Sequence, residues 1–177
     1  MNYLALIDRH RQDPLAPRRC LPNLAFIDSR VDLNQVTLIN VNRRTEIFLI
    51  DSDRDGIEQI TEVLGDRCHV QSIQLIGFEN GNDASLQLGL SQLNIYTLEA
   101  YLNDLSQWRT ALSARSVIVL YGCLVLVESI FYNFLQQLAG ITGSDIGAFV
   151  STTDSHLAQN VSNYDANSLM MAWQPQI

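Results

Sequence analysis

The sequence predicts an α/β fold: a mostly parallel sheet of about five to six strands flanked by helices, with a small β-hairpin. Three observations carry that expectation. Short apolar segments alternate with segments of helical spacing between residues 24 and 150, the signature of strand–helix–strand units joined by right-handed crossovers. Ser116 to Cys123, SVIVLYGC, runs through Val117, Ile118, Val119, Leu120 and Tyr121 without a polar break, so both faces of that strand are covered, as in a central parallel strand between helices. Ser85 to Leu93, SLQLGLSQL, sets Leu86, Leu88 and Leu90 in alternation, which predicts a small half-exposed hairpin.

Each element follows from local chemistry. Residues 1–23 hold Pro14, Pro17, Pro22 and four arginines, which predicts an extended arm with one short helical turn at Tyr3 to Arg9. The domain proper is expected over 24–177. Leu24 to Asp28 (LAFID) is a short buried strand, and Ser29 is placed to cap a helix near Val31 to Asn42. Glu46 to Ile50 (EIFLI) is the second strand and Asp51 to Asp55 the loop after it. Gly56 to Arg67 is a helix with Ile57, Ile60, Val63 and Leu64 on one face. Gln71 to Gly77 is the third strand, and Phe78 to Asp83 leads into the hairpin. The spacing of Leu98, Tyr101, Leu102, Leu105 and Trp108 predicts a helix over Tyr96 to Leu112. After the strand ending at Cys123, a helix is expected over Leu126 to Ala139, stopped by Gly140 and Thr142-Gly143. Asp145 to Val150 is a fifth strand, and Leu169 to Trp173 (LMMAW) a final short one.

Composition narrows the function. A chain of 177 residues with 47% hydrophobic content is one domain with a full core. No apolar run approaches the roughly 20 residues that span a bilayer, and the N-terminus lacks a basic stretch followed by an apolar one, so a cytoplasmic location is the default expectation. Cys20, Cys68 and Cys123 are odd in number and irregular in spacing, which fits neither a disulfide framework nor a zinc site; no cofactor is expected. The net charge is −8, and every basic residue is an arginine. Residues 1–44 carry seven arginines against four aspartates, whereas 45–177 carry four against fifteen acids. The body therefore repels nucleic acid and anionic membrane. The arm, with Arg9, Arg11, Arg18 and Arg19, is suited to an acidic surface on a protein partner or to folding back on its own acidic body, and charge asymmetry does not choose between them.

Two constellations bear on chemistry. Asp51, Asp53, Asp55, Gly56 and Glu62 fit the spacing of a calcium-binding loop. Such a loop follows a helix, whereas EIFLI is a strand, and its usually hydrophobic eighth position is Glu58; a strand-to-helix turn whose aspartates complement the helix N-terminus is the expectation. The second constellation is Cys123 at the carboxyl end of its strand, the rim where α/β sheets bind ligands. A cysteine nucleophile needs a histidine or another cation to hold the thiolate. Its partner belongs at the end of strand three, where Gly77, Phe78, Glu79 and Asn80 stand. None is a histidine, and a glutamate beside the thiol favours the protonated form. Of the three histidines, His10 lies in the arm and His69 before strand three, at the opposite end; His156, after strand five, is the one with reach to the rim.

The segments FIDSRVDLNQ (Phe26 to Gln35), FLIDSDRDGIEQITEVL (Phe48 to Leu64), SLQLGLSQLN (Ser85 to Asn94), VLYGC (Val119 to Cys123) and LAGITGSDIGAFVSTTD (Leu138 to Asp154) resemble a bacterial domain of unknown function. That domain is found near the N-termini of large surface or adhesin-like proteins, often cyanobacterial, so the resemblance also admits a cell-surface location. It looks like a member of the caspase-like group, beside gingipain-type and clostripain-type cysteine peptidases. The resemblance implies a three-layer caspase-like sandwich with a Cys/His dyad on adjacent strand ends. The family's Ser-His-Gly triplet falls on Gly77-Phe78-Glu79, so Phe78 stands where the histidine belongs; Cys123 is kept, and the asparagine that follows it is Leu124.

A broken dyad points to a non-catalytic caspase-like module used in protein association, a structural or linker subunit of a larger assembly with Cys123 vestigial. The alternative is a cysteine peptidase or self-processing domain that pairs Cys123 with a non-standard base such as His156. A third reading is a cell-surface domain without its downstream modules.

Overall fold

The computed structural model describes residues 21–32, 44–78, 85–125 and 128–152, with side chains throughout except at 123–125, 128 and 149–152. Five parallel strands form the sheet: β1 (Asn23–Asp28), β2 (Thr45–Ile50), β3 (Val70–Ile76), β6 (Leu112–Val125) and β7 (Asp145–Thr152). They lie in the order β2-β1-β3-β6-β7. Strands β4 (Leu86–Leu88) and β5 (Ser91–Leu93) pair as an antiparallel hairpin. The helices are α1 (Gly56–Gly65), α2 (Leu102–Gln107), continued by a 3-10 turn over Trp108–Thr110, and α3 (Glu128–Thr142).

The three crossovers from β2 to β3, β3 to β6 and β6 to β7 all run the same way across the sheet. Right-handedness then puts their helices on one face. The core bears this out: Leu24, Phe26, Ile50, Ile73, Leu75, Ile118, Leu120 and Ile146 of the strands are buried with Ile57, Ile60, Leu64, Leu105, Trp108, Phe134, Leu135 and Leu138. Alternate strand residues turn to the other face, where Ala25, Ile27 and Ile76 form a second cluster with Val31, Ile47 and Tyr121 against it. Phe26 stacks on Phe48 across β1 and β2 at 5.2 Å between ring centroids, and the fully buried Trp108 donates its indole N–H to the Thr61 hydroxyl at 2.9 Å. Burying rings of that size contributes about 1.5–3 kcal/mol each.

Several elements differ from the sequence expectation for physical reasons. The hairpin is buried, not half-exposed: Leu86, Leu88 and Leu93 have no accessible surface, while Leu90 is 66% exposed. Gly89 and Leu90 are the two-residue turn between paired Leu88 and Ser91, so the alternation stops at Leu88 and Leu90 projects from the tip. The single helix expected over Tyr96 to Leu112 is replaced by turns, α2 and the 3-10 turn. The Asn94 side chain accepts from the amides of Tyr96 and Thr97, and the Thr97 hydroxyl donates to the Gln92 carbonyl; these local bonds compete with the first helical turns. At the other end Leu112 pairs with Val70 as the start of β6. The strand ending at Cys123 runs from Leu112 to Val125, and β3, not β6, is the middle strand. The arm, the helix expected near Val31 to Asn42 from residue 33 on, and the final strand at Leu169 to Trp173 lie outside the described residues. No helix among the described residues is long and apolar enough to cross a membrane.

Candidate functional site

The parallel strands bring their carboxyl ends to one rim, and β1, β3 and β6 are neighbours there. This strand order reverses direction between β1 and β3, where doubly wound sheets open a ligand crevice. Here the protein's own side chains fill that position. Asp28, the last residue of β1, is fully buried. Its Oδ1 accepts from the Arg30 amide at 3.0 Å and from Arg30 Nε at 2.8 Å; its Oδ2 accepts from Arg30 Nη2 at 2.7 Å and from the Gly89 amide at 2.7 Å. Burial alone raises the Asp28 carboxyl, but the hydrogen bonds from Arg30 and Gly89 and the guanidinium charge outweigh it and hold the group below its ordinary value. The same bond to Asp28 raises Arg30 above its own ordinary value.

Arg30 reaches further than Asp28. Its Nη2 donates to the Gly89 carbonyl at 2.9 Å, which Gln87 Nε2 also engages at 2.7 Å. Its guanidinium carbon stands 4.8 Å above the centre of the Phe78 ring, within cation–π range. The hairpin turn is thus gripped at both its amide and its carbonyl. Only glycine suits position 89: φ is +56°, and a Cβ there would collide with the Arg54 carbonyl oxygen. The hairpin also caps α1, because the buried Ser91 hydroxyl accepts from the amides of Gly56 at 2.9 Å and Ile57 at 3.3 Å.

At the ends of β3 and β6 the backbones are in close contact. Ile76 pairs with Tyr121, and the Gly77 amide donates to the Tyr121 carbonyl at 2.9 Å. Gly122 has φ +84°, and a Cβ there would stand 2.5 Å from the Gly77 carbonyl oxygen. The β6–β7 register slips at this glycine, with Tyr121 opposite Phe149 and Cys123 opposite Val150. A left-handed glycine in a register slip has the form of a β-bulge. Phe78 and Cys123 follow these glycines in the chain, Phe78 past the end of β3 and Cys123 within β6. Phe78 is fixed in turn by its amide, which donates to the Gln87 carbonyl at 2.9 Å. The ring has no atom that can take a proton.

The family model for the domain of unknown function DUF4347 matches residues 24–163. The chain belongs to this family. No curated protein and no solved structure matches it.

Within this DUF4347 domain the sequence-predicted residues fall as follows. Phe78 lies two residues past the end of β3, bridged to Gln87 of the hairpin, and Cys123 lies within β6, opposite Val150 of β7. His69 is exposed before β3, at the opposite end of the sheet. Arg9, Arg11, Arg18, Arg19, His10, His156, Glu79 and Asn80 lie outside the described residues. In the acidic loop, Asp51 Oδ1 accepts from the Asp53 amide, Asp55 Oδ1 caps α1 through the Glu58 amide, and Glu62 pairs with Arg54 at 3.0 Å. Among the described residues no group of three or more His, Cys, Asp or Glu is disposed to hold a metal. Sequence reasoning missed Asp28, Arg30, Gln87 and Gly89. The available signal was an aspartate closing a buried strand, followed two residues later by an arginine.

Proposed function

We propose that this DUF4347 domain is a non-catalytic, caspase-like module that acts in protein association as a structural or linker subunit of a larger assembly. The observation that carries the reading is Phe78. It follows β3 by two residues, its ring carries the Arg30 guanidinium, and its amide is tied to the hairpin. A thiol nucleophile without a neighbouring base forfeits a factor of about 10² to 10⁴ in rate, and an aromatic ring built into the packing cannot supply one. The strand order suits a caspase-like sheet, and the rim that would receive a substrate is filled by the Asp28–Arg30–Gly89 contacts. Arg9, Arg11, Arg18 and Arg19 of the arm are the contacts proposed for an acidic protein surface. The cytoplasm is the proposed compartment, with a cell surface as the alternative that the family resemblance brings.

The test is isolation from the native source at moderate salt, comparing the full chain with one lacking residues 1–23. The full chain is expected to elute in a complex and the truncated chain at the mass of a monomer. A full chain that elutes alone contradicts the association reading.

A further inference from the structure

The two faces of the sheet are covered unequally. α1, α2 and α3 pack on the face of Phe26, Leu75 and Leu120. The crossover from β1 to β2 runs the opposite way across the sheet, so right-handedness directs it, alone among the crossovers, to the second face. Five strands make a sheet about 20 Å wide, and one crossover covers about 10 Å of that width, over β2 and β1. The side left over carries Val117, Val119 and Tyr121 of β6, all half-buried, with Gly147 of β7 opposite Val119. Nothing stands within 4 Å of an ideal Cβ at Gly147, which leaves a hollow beside Val119. On the other flank of Val119 is Gln74 of β3. Gln74 is only 7% exposed, yet its Oε1 has no hydrogen-bond partner among the described residues. A buried amide oxygen calls for a donor.

The chain itself can supply one. Residues 153–177 follow β7, the edge strand beside β6. Their longest apolar run is Leu169 to Trp173, LMMAW, in a segment otherwise rich in Asn, Gln and Ser. The stretch from 153 to 168 reaches about 50 Å when extended, more than twice the width of the sheet. Methionine side chains adapt to an irregular hollow, and the Trp173 indole N–H is a donor with no acceptor of its own. We propose that the second face of β6 and β7 is a docking strip for the chain's own C-terminal segment, with Leu169–Trp173 seated on Val117, Val119, Tyr121 and Gly147 and the Trp173 indole donating to Gln74 Oε1. The tether to β7 gives the run a high effective concentration at the strip. This inference does not rest on the association reading, because it concerns neither the rim nor the N-terminal arm.

The experiment reads Trp173 in the full chain. Its emission is taken as wild type minus Trp173→Phe, so that Trp108, the other tryptophan, cancels. The difference is expected to lie to the blue of a solvated indole and to resist quenching by acrylamide. Val119→Gln is expected to return it to the solvated value, whereas Leu102→Gln, at an exposed position on α2, leaves it unchanged. Solvated emission in the wild type overturns the docking. A buried Trp173 that ignores Val119→Gln is seated elsewhere, which overturns the proposal equally. Should Val119→Gln not fold, as the Trp108 emission would show, Val119→Thr is read by the same criterion. Gln74→Leu and Trp173→Phe are expected to shift Tm non-additively; strictly additive shifts overturn the bond between Trp173 and Gln74.

Discussion

The amide of Gly89 donates to the carboxylate of Asp28 across 2.7 Å and 61 residues of sequence. That bond joins the tip of the hairpin to the end of β1 and seats β4 on the rim, where its Gln87 carbonyl holds Phe78. Three buried leucines and the Ser91 cap then make the hairpin part of the core instead of a movable lid.

Asp28→Ala leaves a guanidinium and an amide without their acceptor at a fully buried position. The orphaned amide is buried, but the guanidinium is more than a third exposed and regains water, so the loss is about 1–3 kcal/mol and the urea midpoint is expected to fall. An unchanged midpoint would show that the contact contributes nothing.

The pH dependence has a definite sign. The Asp28 carboxyl lies below its ordinary value of 3.8 in the folded protein, so its contribution to stability is present in full above that value. It is lost as pH falls through the lowered folded value, because the unfolded chain binds the proton first. Denaturant titrations from pH 6 downward are expected to show stability falling below about pH 4, and Asp28→Asn to remove part of that slope. The same slope in the variant contradicts the assignment.

Two glycines are expected to respond in opposite directions to alanine. Gly122→Ala places a Cβ against the Gly77 carbonyl at φ +84° and should destabilise by about 2–3 kcal/mol. Gly140, within α3, has nothing within 4 Å of its ideal Cβ, so Gly140→Ala should stabilise by about 0.5–1 kcal/mol. Calorimetry on both variants checks the pair, and equal effects would mean that the bulge at Gly122 is not strained by a side chain.

Ser91→Ala removes the acceptor for two buried amides at the start of α1. A lost cap of this kind costs about 1–2 kcal/mol. Hydrogen exchange at the Gly56 and Ile57 amides should accelerate in the variant, and unchanged protection would point to another acceptor.

The strands were legible because LAFID, EIFLI and SVIVLYGC are short apolar runs; the bounds of the first two fall close to those observed, whereas the third begins earlier, at Leu112. α1 was legible from Asp55 before an apolar stripe at Ile57, Ile60 and Leu64. The segment from Tyr96 was misread because its leucine spacing is helical while Asn94 and Thr97 bond their own backbone. The pairing of β3 with β6 could be argued from strand order alone. The grip of Asp28 and Arg30 on Gly89 could not, since it joins residues 59 and 61 apart through a turn whose docking depends on buried Leu86 and Leu88.

The most direct measurement is labelling of the folded chain at near-neutral pH with a peptidyl electrophile selective for cysteine peptidases, compared across wild type, Cys123→Ala and Phe78→His. The non-catalytic reading predicts that wild type and Cys123→Ala are equally inert, and that Phe78→His gains labelling through a base at the end of β3. Labelling of the wild type that disappears in Cys123→Ala would mean an activated thiol, contradict that reading, and make His156 the base to test.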